Sequence, residues 1–451
     1  MGRMFGTDGV RGIANTELSV ELAMKIGRAV AHILSGSKKG EKAKILIGKD
    51  TRISSSMLES ALTAGICSYG ADVYLLGEIP TPAVALLCKK YSADAGIMIS
   101  ASHNPAEFNG IKIFNKDGYK LSDAMEDKIE ELVKATEELY TGVIGENLGR
   151  VVVVEKAVDD YADYIVDAVS AKNLNLKVAL DCSNGAASKT AEKIFRKLGA
   201  DITLLSAIPD GININKDCGS TNLEPLKKFV KENDFDLGLA FDGDADRCLA
   251  VDENGEEVDG DRIIALFAWY LKQNGRLNED TAVVTVMSNL GFFEFADKHG
   301  INAISAKVGD RYVLEKMLEG GYNLGGEQSG HIILSDYQTT GDGEMTGAFL
   351  LKMLYDSKQK LSCLAKIMEK YPQVIKNVKV KNEDKAKLDT DKEIAAVIAS
   401  ASEELKKCGR VLVRASGTEP LIRIMLEGKN LKDIERLADK IAAVIEERIK
   451  K

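Results

Sequence analysis

Asp242, Asp244 and Asp246 stand two apart directly after the apolar run Leu237–Phe241, separated only by Gly243 and Ala245. In extended backbone alternate side chains share a face, so the three carboxylates are expected to converge. Carboxylates that close repel one another unless a dication lies between them, and an all-oxygen set favours Mg²⁺ or Ca²⁺ over zinc. A solvated acidic turn is the competing reading. The EF-hand pattern is absent, lacking the glycine at the sixth and the glutamate at the twelfth loop position. Ser102, in Ser-His-Asn-Pro, reads either as a capped turn or as a nucleophile. No G-x-S-x-G elbow or evident triad accompanies it. Phosphoryl transfer, however, asks less of a base than of charge neutralisation and alignment. Arg414-Ala-Ser-Gly-Thr-Glu-Pro-Leu-Ile-Arg423 brings two guanidinium forks, two hydroxyls and a glycine together, the donor set of a phosphate dianion site or simply of a polar hairpin. Gly325-Gly-Glu-Gln-Ser-Gly-His331 offers donors and acceptors for sugar hydroxyls. Neither a Walker loop nor G-x-G-x-x-G occurs, so no nucleotide is demanded.

These loops need elements to hold them, and one pattern recurs three times. Lys44–Gly48, the turn Lys49–Arg52, a helical stretch and Gly70–Leu76 form the first copy; Lys177–Asp181, the turn Cys182–Gly185, a helix and Gly199–Leu205 the second; Ala282–Val286, the turn Ser288–Gly291, a helix and Gly300–Ile304 the third. Each is a strand–helix–strand unit, and the spacing between copies points to domain duplication rather than a solenoid. Each copy later opens an apolar run into a polar loop: Gly96–Pro105, Leu237–Arg247 and Leu324–His331. Ligand groups gather at the carboxyl ends of strands in such sheets. The expected fold is therefore three similar mixed α/β domains plus a smaller C-terminal α+β domain around a central cleft. The boundaries are 1–154 with the serine loop, 155–253 with the acidic loop, 254–369 with the sugar loop and 370–451 with the phosphate loop. In the last, Asn430 is the expected N-cap of a final helix carrying Ile434, Leu437, Ile441, Val444 and Ile445 at helical spacing. Charged Glu126–Leu139 reads as a solvated helix.

The 451 residues, at roughly 100–200 per domain, carry three or four domains. Sixty Lys+Arg against 69 Asp+Glu give a net charge of −9, which disfavours a nucleic-acid partner. The opening residues lack the apolar stretch of a signal peptide, and the longest apolar run, Ile263–Leu271, is about half a membrane span. Seven scattered cysteines without a C-x-x-C pair read as reduced thiols of a cytoplasmic protein.

Taken together and in this order, Ser-Ala-Ser-His-Asn-Pro (100–105), Asp-Gly-Asp-Ala-Asp-Arg (242–247), Gly-Glu-Gln-Ser-Gly-His (326–331) and Arg414–Arg423 resemble the α-D-phosphohexomutase family along essentially the whole chain. The opening Phe5–Gly12 is similar to the branch acting on amino-sugar phosphates. That resemblance implies interconversion of glucosamine 6-phosphate and glucosamine 1-phosphate through a hexosamine 1,6-bisphosphate, on the route to UDP-N-acetylglucosamine. It implies a phosphorylated Ser102; Mg²⁺ held by Asp242, Asp244, Asp246 and that phosphate; and proton transfer or electrostatic support from Arg11, Lys112 and His331. It also implies a cleft lined by Arg247, sugar hydroxyls read by Glu327 and Ser329, and the untransferred phosphate gripped by Arg414, Ser416, Gly417, Thr418 and Arg423. The bisphosphate would also serve as activator. No nucleic-acid or membrane partner is implied, and a homodimer is compatible with the branch. One departure stands out: Ala415 occupies a position where the family pattern has proline, which loosens the loop without removing a phosphate donor.

Overall fold

The computed structural model describes residues 4–6, 8–35, 41–135, 143–406, 408–416 and 420–450, with backbone alone at 35 and 450. The chain divides into two compact units, Met1–Met287 with Ile301–Lys366, and Ser288–Gly300 with Ile367–Lys451.

The larger unit holds three sheets. The first contains β1 (Val10–Ile13), β2 (Lys44–Lys49), β3 (Asp72–Glu78), β4 (Ala95–Ile99), β5 (Phe108–Asn115) and β6 (Val151–Val153), in the order β1-β5-β4-β2-β3-β6. The second contains β7 (Lys177–Asp181), β8 (Asp201–Leu205), β9 (Leu237–Phe241), β10 (Cys248–Asp252) and β11 (Glu257–Val258), in the order β11-β10-β9-β7-β8. The third contains β12 (Thr281–Thr285), β13 (Asn302–Ala306), β14 (Leu324–Gly326) and β15 (Ile332–Leu334), in the order β13-β12-β14-β15.

One four-strand kernel underlies all three. Its first strand pairs in parallel with its second and third (β2 with β3 and β4, β7 with β8 and β9, β12 with β13 and β14). Its fourth strand returns antiparallel to the third (β5, β10 and β15). The strand-by-strand repeat expected from sequence is thus a shared topology. Strands β4 and β9 are buried at every residue, which accounts for their continuous apolar runs instead of alternation. Each of the three polar loops occupies the turn between the third and fourth strand of its kernel.

The helix expected over Glu126–Leu139 runs Asp123–Lys134 and is not simply solvated. Ile129 and Val133 join the core of the first sheet, and Glu126 and Glu130 are buried with them. Glu130 accepts the Met4 amide at 2.8 Å, so part of the charged face is spent on the chain's own backbone. Leu139 lies outside the described residues.

The smaller unit is built on β16 (Gln373–Lys379), β17 (Gly409–Ala415) and β18 (Leu421–Gly428), antiparallel in the order β16-β18-β17. Ile422, Ile424 and Leu426 alternate onto one face of β18 and meet Ile434, Leu437, Ile441 and Ile445 of the helix Leu431–Lys450. A strand of period two and a helix of period 3.6 share this core. Asn430 caps that helix, its side chain accepting the Lys432 amide at 3.0 Å. Helix Leu290–Lys298 also belongs to this unit: the Glu427 carboxylate accepts Asn289 Nδ2 at 3.0 Å and the Leu290 amide at 3.2 Å. Among the described residues no helix is long and apolar enough to cross a membrane.

Candidate active site

Ser102 sits in the β4–β5 turn with φ of 53°, a left-handed conformation unusual for serine. Its amide donates to Ser100 Oγ at 2.9 Å, and its carbonyl accepts from Arg52 Nη2 and Asn215 Nδ2, each at 2.9 Å. So held, the buried Oγ donates to Asp242 Oδ2 at 2.6 Å. Loops from two different sheets, 140 positions apart, therefore meet at one hydrogen bond.

The acidic trio does converge, but not by strand alternation. Residues 242–247 form a turn in which Ala245 has φ of 53° and its amide donates to the Asp242 carbonyl at 3.0 Å. Gly243 is required there, because a Cβ would come within 2.6 Å of the Ser102 carbonyl oxygen. One oxygen from each of Asp242, Asp244 and Asp246 lies within 4.8 Å of the others, and all three residues are buried. Asp244 Oδ1 and Asp246 Oδ1 are buried with no hydrogen-bond partner among the described residues. Buried carboxylate oxygens without donors are costly, and a hard dication removes that cost, so the donor set fits Mg²⁺. Burial, then the charges of Asp246 and Asp244, push the Asp242 carboxyl well above the usual range.

A shell of cations faces the trio. Lys112, on β5, reaches Asp244 Oδ2 at 2.8 Å, Asp8 Oδ2 at 2.9 Å and Asp246 Oδ2 at 3.5 Å. Burial opposes its charge, yet Asp244, Asp8 and Asp246 outweigh burial and hold the ammonium well above its ordinary pKa. Asp8 also binds Arg11 and Lys120, and Lys120 binds Asp310. Burial raises the Asp8 carboxyl, but Lys112, Lys120 and Arg11 pull it well below the usual range. His331 lies between two acids, Nδ1 at 3.6 Å from Asp246 Oδ2 and Nε2 at 3.6 Å from Asp310 Oδ2. Its Nε2 also accepts the Gly341 amide at 3.1 Å, which places the ring proton on Nδ1 facing Asp246. The Arg247 amide donates to Asp242 Oδ1 at 3.2 Å, and its Nε stands 3.8 Å from Asp246 Oδ1. In the third polar loop, Glu327 Oε1 accepts the Gly309 amide at 3.0 Å, and Ser329 Oγ is buried with no hydrogen-bond partner among the described residues.

Ser102, the three aspartates, Arg11, Lys112, Arg247, Glu327, Ser329 and His331 thus all belong to the larger unit. On the smaller unit, Arg414 and Arg423 are direct cross-strand partners in the β17–β18 ladder, and Ala415 pairs with Ile422. Ser416 closes the strand end, its amide donating to the Leu421 carbonyl at 2.9 Å. Burial and then the Arg423 charge lower the Arg414 pKa. Gly417 and Thr418 lie outside the described residues.

Sequence reading did not single out Asp8, Lys120, Asp310, Thr81 or His103 as members of this cluster. Thr81 donates its hydroxyl to Asp244 Oδ2. His103 Nδ1 lies 3.3 Å from Ser102 Oγ, with its pKa lowered to about 4 by burial and then by Arg247 and Arg11. Asp8 stands three residues before Arg11, but its other partners are 104 and 112 positions away, and no local spacing announces them.

Comparison with known proteins gives four matching family descriptions in chain order. They are phosphoglucomutase/phosphomannomutase α/β/α domain I (residues 2–140), domain II (159–255), domain III (259–371) and the C-terminal domain (375–444). The chain is 53% identical over 448 residues to a phosphoglucosamine mutase of Clostridium novyi, covering 99% of both chains. It is 54% identical over 449 residues to one of Acetivibrio thermocellus, covering 100% of both. Among solved structures, a phosphoglucomutase/phosphomannomutase family protein from Burkholderia thailandensis superposes with a TM-score of 0.82 at 24% identity, covering 99% of this chain and 98% of that one. N-acetylphosphoglucosamine mutase of Aspergillus fumigatus, solved with GlcNAc-6P and magnesium, gives 0.70 at 18% identity, covering 99% and 96%.

Proposed function

The chain belongs to the phosphoglucosamine mutases within the four-domain phosphoglucomutase/phosphomannomutase family, and from that membership we propose that it interconverts glucosamine 6-phosphate and glucosamine 1-phosphate through a phosphorylated Ser102. The observation that carries the reading is the serine hydroxyl 2.6 Å from Asp242, in a trio where Asp244 Oδ1 and Asp246 Oδ1 are buried without donors among the described residues and which is ringed by Lys112, Arg11 and Arg247.

In this reading the phosphorus–Oγ bond of Ser102 breaks as a new bond forms to the free sugar hydroxyl, whose proton ends on the released Ser102 Oγ. The resulting 1,6-bisphosphate turns end for end, and its other phosphoryl group returns to Ser102. Asp242, Asp244, Asp246 and the serine phosphate would hold Mg²⁺, which when bound neutralises charge on the transferring group. Lys112 keeps its proton among three carboxylates, so it serves as a fixed cation for the anionic transition state. Arg11 does the same beside Asp8. His331, with Nε2 occupied by the Gly341 amide and Nδ1 turned to Asp246, orients the acidic trio and tempers its charge. Arg247, Glu327 and Ser329 take the sugar; Arg414, Ser416, Gly417, Thr418 and Arg423 take the phosphate that is not transferred. The reaction is assigned to the cytoplasm, on a free sugar phosphate, with the 1,6-bisphosphate as activator.

The test is a coupled assay converting glucosamine 6-phosphate with Mg²⁺ and a trace of hexose 1,6-bisphosphate, run beside glucose and mannose phosphates. Turnover is expected to favour the amino sugar, and Ser102→Ala to lower kcat by about 10⁴-fold or more. Turnover of the alanine variant at the wild-type rate overturns the proposal.

A further inference from the structure

We infer that Arg52 and Asp50 are positioning residues that hold the Ser102 loop in register with the acidic trio; the inference rests on the phosphoserine reading above. The Arg52 side chain is entirely buried, and all five of its N–H donors are used. Nη2 donates to the carbonyls of Ser102 at 2.9 Å and Asn104 at 2.7 Å; Nη1 donates to Phe108 at 3.1 Å and to Pro105; Nε donates to Asp50 Oδ2 at 2.8 Å. Three carbonyls of the Ser102 loop and that of Phe108, the first residue of β5, thus converge on a single planar fork.

Asp50 completes the hold from the other side. Its Oδ2 accepts Ser100 Oγ at 2.7 Å, and Ser100 Oγ in turn accepts the Ser102 amide at 2.9 Å. Its Oδ1 accepts the Arg52 amide at 3.0 Å and Ser55 Oγ at 2.8 Å, which fixes the carboxylate plane. The amide and the carbonyl of Ser102 therefore both trace back to one buried ion pair. A non-glycine residue at φ of 53° needs such bracing. Neither Asp50 nor Arg52 contacts Ser102 Oγ, so they act through the backbone. The bracing matters because the same Oγ must give up a phosphoryl group and take one back from the same place, and a displacement of about 1 Å is enough to cost 10²-fold in rate. A lysine at 52 offers three donors without the planar fork and cannot span the four carbonyls.

The experiment compares wild type, Arg52→Lys and the milder Ser100→Ala as purified full-length chains, with the folded fraction of each measured by circular dichroism. Each is phosphorylated with glucose 1,6-bisphosphate and followed by the ³¹P resonance of the phosphoserine, and kcat, KM and phosphate released per turnover are recorded. Arg52→Lys is expected to lower kcat per folded molecule about 100-fold with KM within about threefold, to shift the ³¹P resonance, and to raise phosphate release per turnover. Ser100→Ala is expected to do the same about tenfold. If kcat per folded molecule stays within about twofold of wild type in both variants, so that any loss of total activity follows the folded fraction alone, the positioning role is overturned. If the wild-type chain itself takes no phosphoryl group from the bisphosphate, the phosphoserine reading fails and this inference falls with it; a phosphorylated wild type with unaffected variants sinks the inference alone.

Discussion

The two units handle positive charge in opposite ways. In the larger, three cations near Ser102 are met by carboxylates of the protein at 3.5 Å or less: Lys112 by three, Lys120 by Asp8 and Asp310, Arg11 by Asp8. In the smaller, Arg414 and Arg423 are set side by side across a ladder, a like-charge pairing that destabilises a sheet. Burial and then the Arg423 charge lower the Arg414 pKa there, whereas neighbouring carboxylates raise that of Arg11 against burial. In the proposed reaction the charged groups around Ser102 stay fixed through both halves, and they form a lattice of alternating acids and cations. If the Arg414–Arg423 pair grips an incoming dianion as proposed, the ligand relieves the repulsion between the two guanidinium groups. Stability and affinity are accordingly separable: the first region should lose fold when a charge is removed, the second should lose ligand.

Asp8→Asn strikes the lattice hardest. It leaves Lys112, Lys120 and Arg11 short of their shared carboxylate; breaking a fully buried pair costs about 3–5 kcal/mol, and with Asp8 only half-buried the loss should be about 1–3 kcal/mol. Urea titration should show that loss together with a fall in kcat; a midpoint unchanged from wild type would break the comparison. Arg414→Met should instead raise the KM for glucosamine 6-phosphate by about 10–100-fold, since a charge-assisted phosphate contact is worth about 1.5–3 kcal/mol. Its melting temperature should be unchanged or slightly higher, because a cross-strand repulsion goes with it; a clear drop in melting temperature at unchanged KM would merge the two regions into one class.

The smallest effect sharpens the contrast with a third arrangement, acid without cation. Asp342 is buried beside Glu344, accepts Tyr161 Oη at 2.9 Å and the Met345 amide at 2.9 Å, and burial raises its pKa to about 6 despite those donors. The folded chain therefore holds this proton more tightly than the unfolded one. Its stabilising contribution is complete below about pH 4 and is lost as pH rises through about 6. Asp342→Asn should gain on wild type over that window, the difference in melting temperature growing by about 2–4 °C between pH 4 and 7. A pH-independent difference would show that Asp342 is ionised throughout.

Much of the architecture was legible because its signals are local. The three strand–helix–strand copies appear where the alternation of apolar runs and polar turns put them, and Asn430 caps the last helix as its residue type requires. The meeting of Asp242, Asp244 and Asp246 was expected for the wrong backbone reason: a turn with Ala245 in the left-handed region brings them together, not a continuing strand. The helix near Glu126 was misread because composition cannot tell a solvated glutamate from one bound to a distant amide, as Glu130 is to Met4. The bracing of Ser102 by Arg52 was invisible in the turn Lys49–Arg52, which in sequence is merely polar.

The sequence alone determined the repeat, the identity and order of the four polar loops, and the presence of a hydroxyl, an acidic trio and an arginine-rich loop. All of these depend on residue type and on spacings of a few positions, which backbone geometry converts directly into local form. Tertiary structure decided which charges face one another: Lys112 with Asp244, Asp8 with Lys120, Arg52 with the carbonyls around Ser102. Those pairings span 50 to 132 positions. They are fixed by which groups burial strips of water at the same point in space, since only there does an ion pair or a donated hydrogen bond gain enough strength to set a side chain's protonation and place.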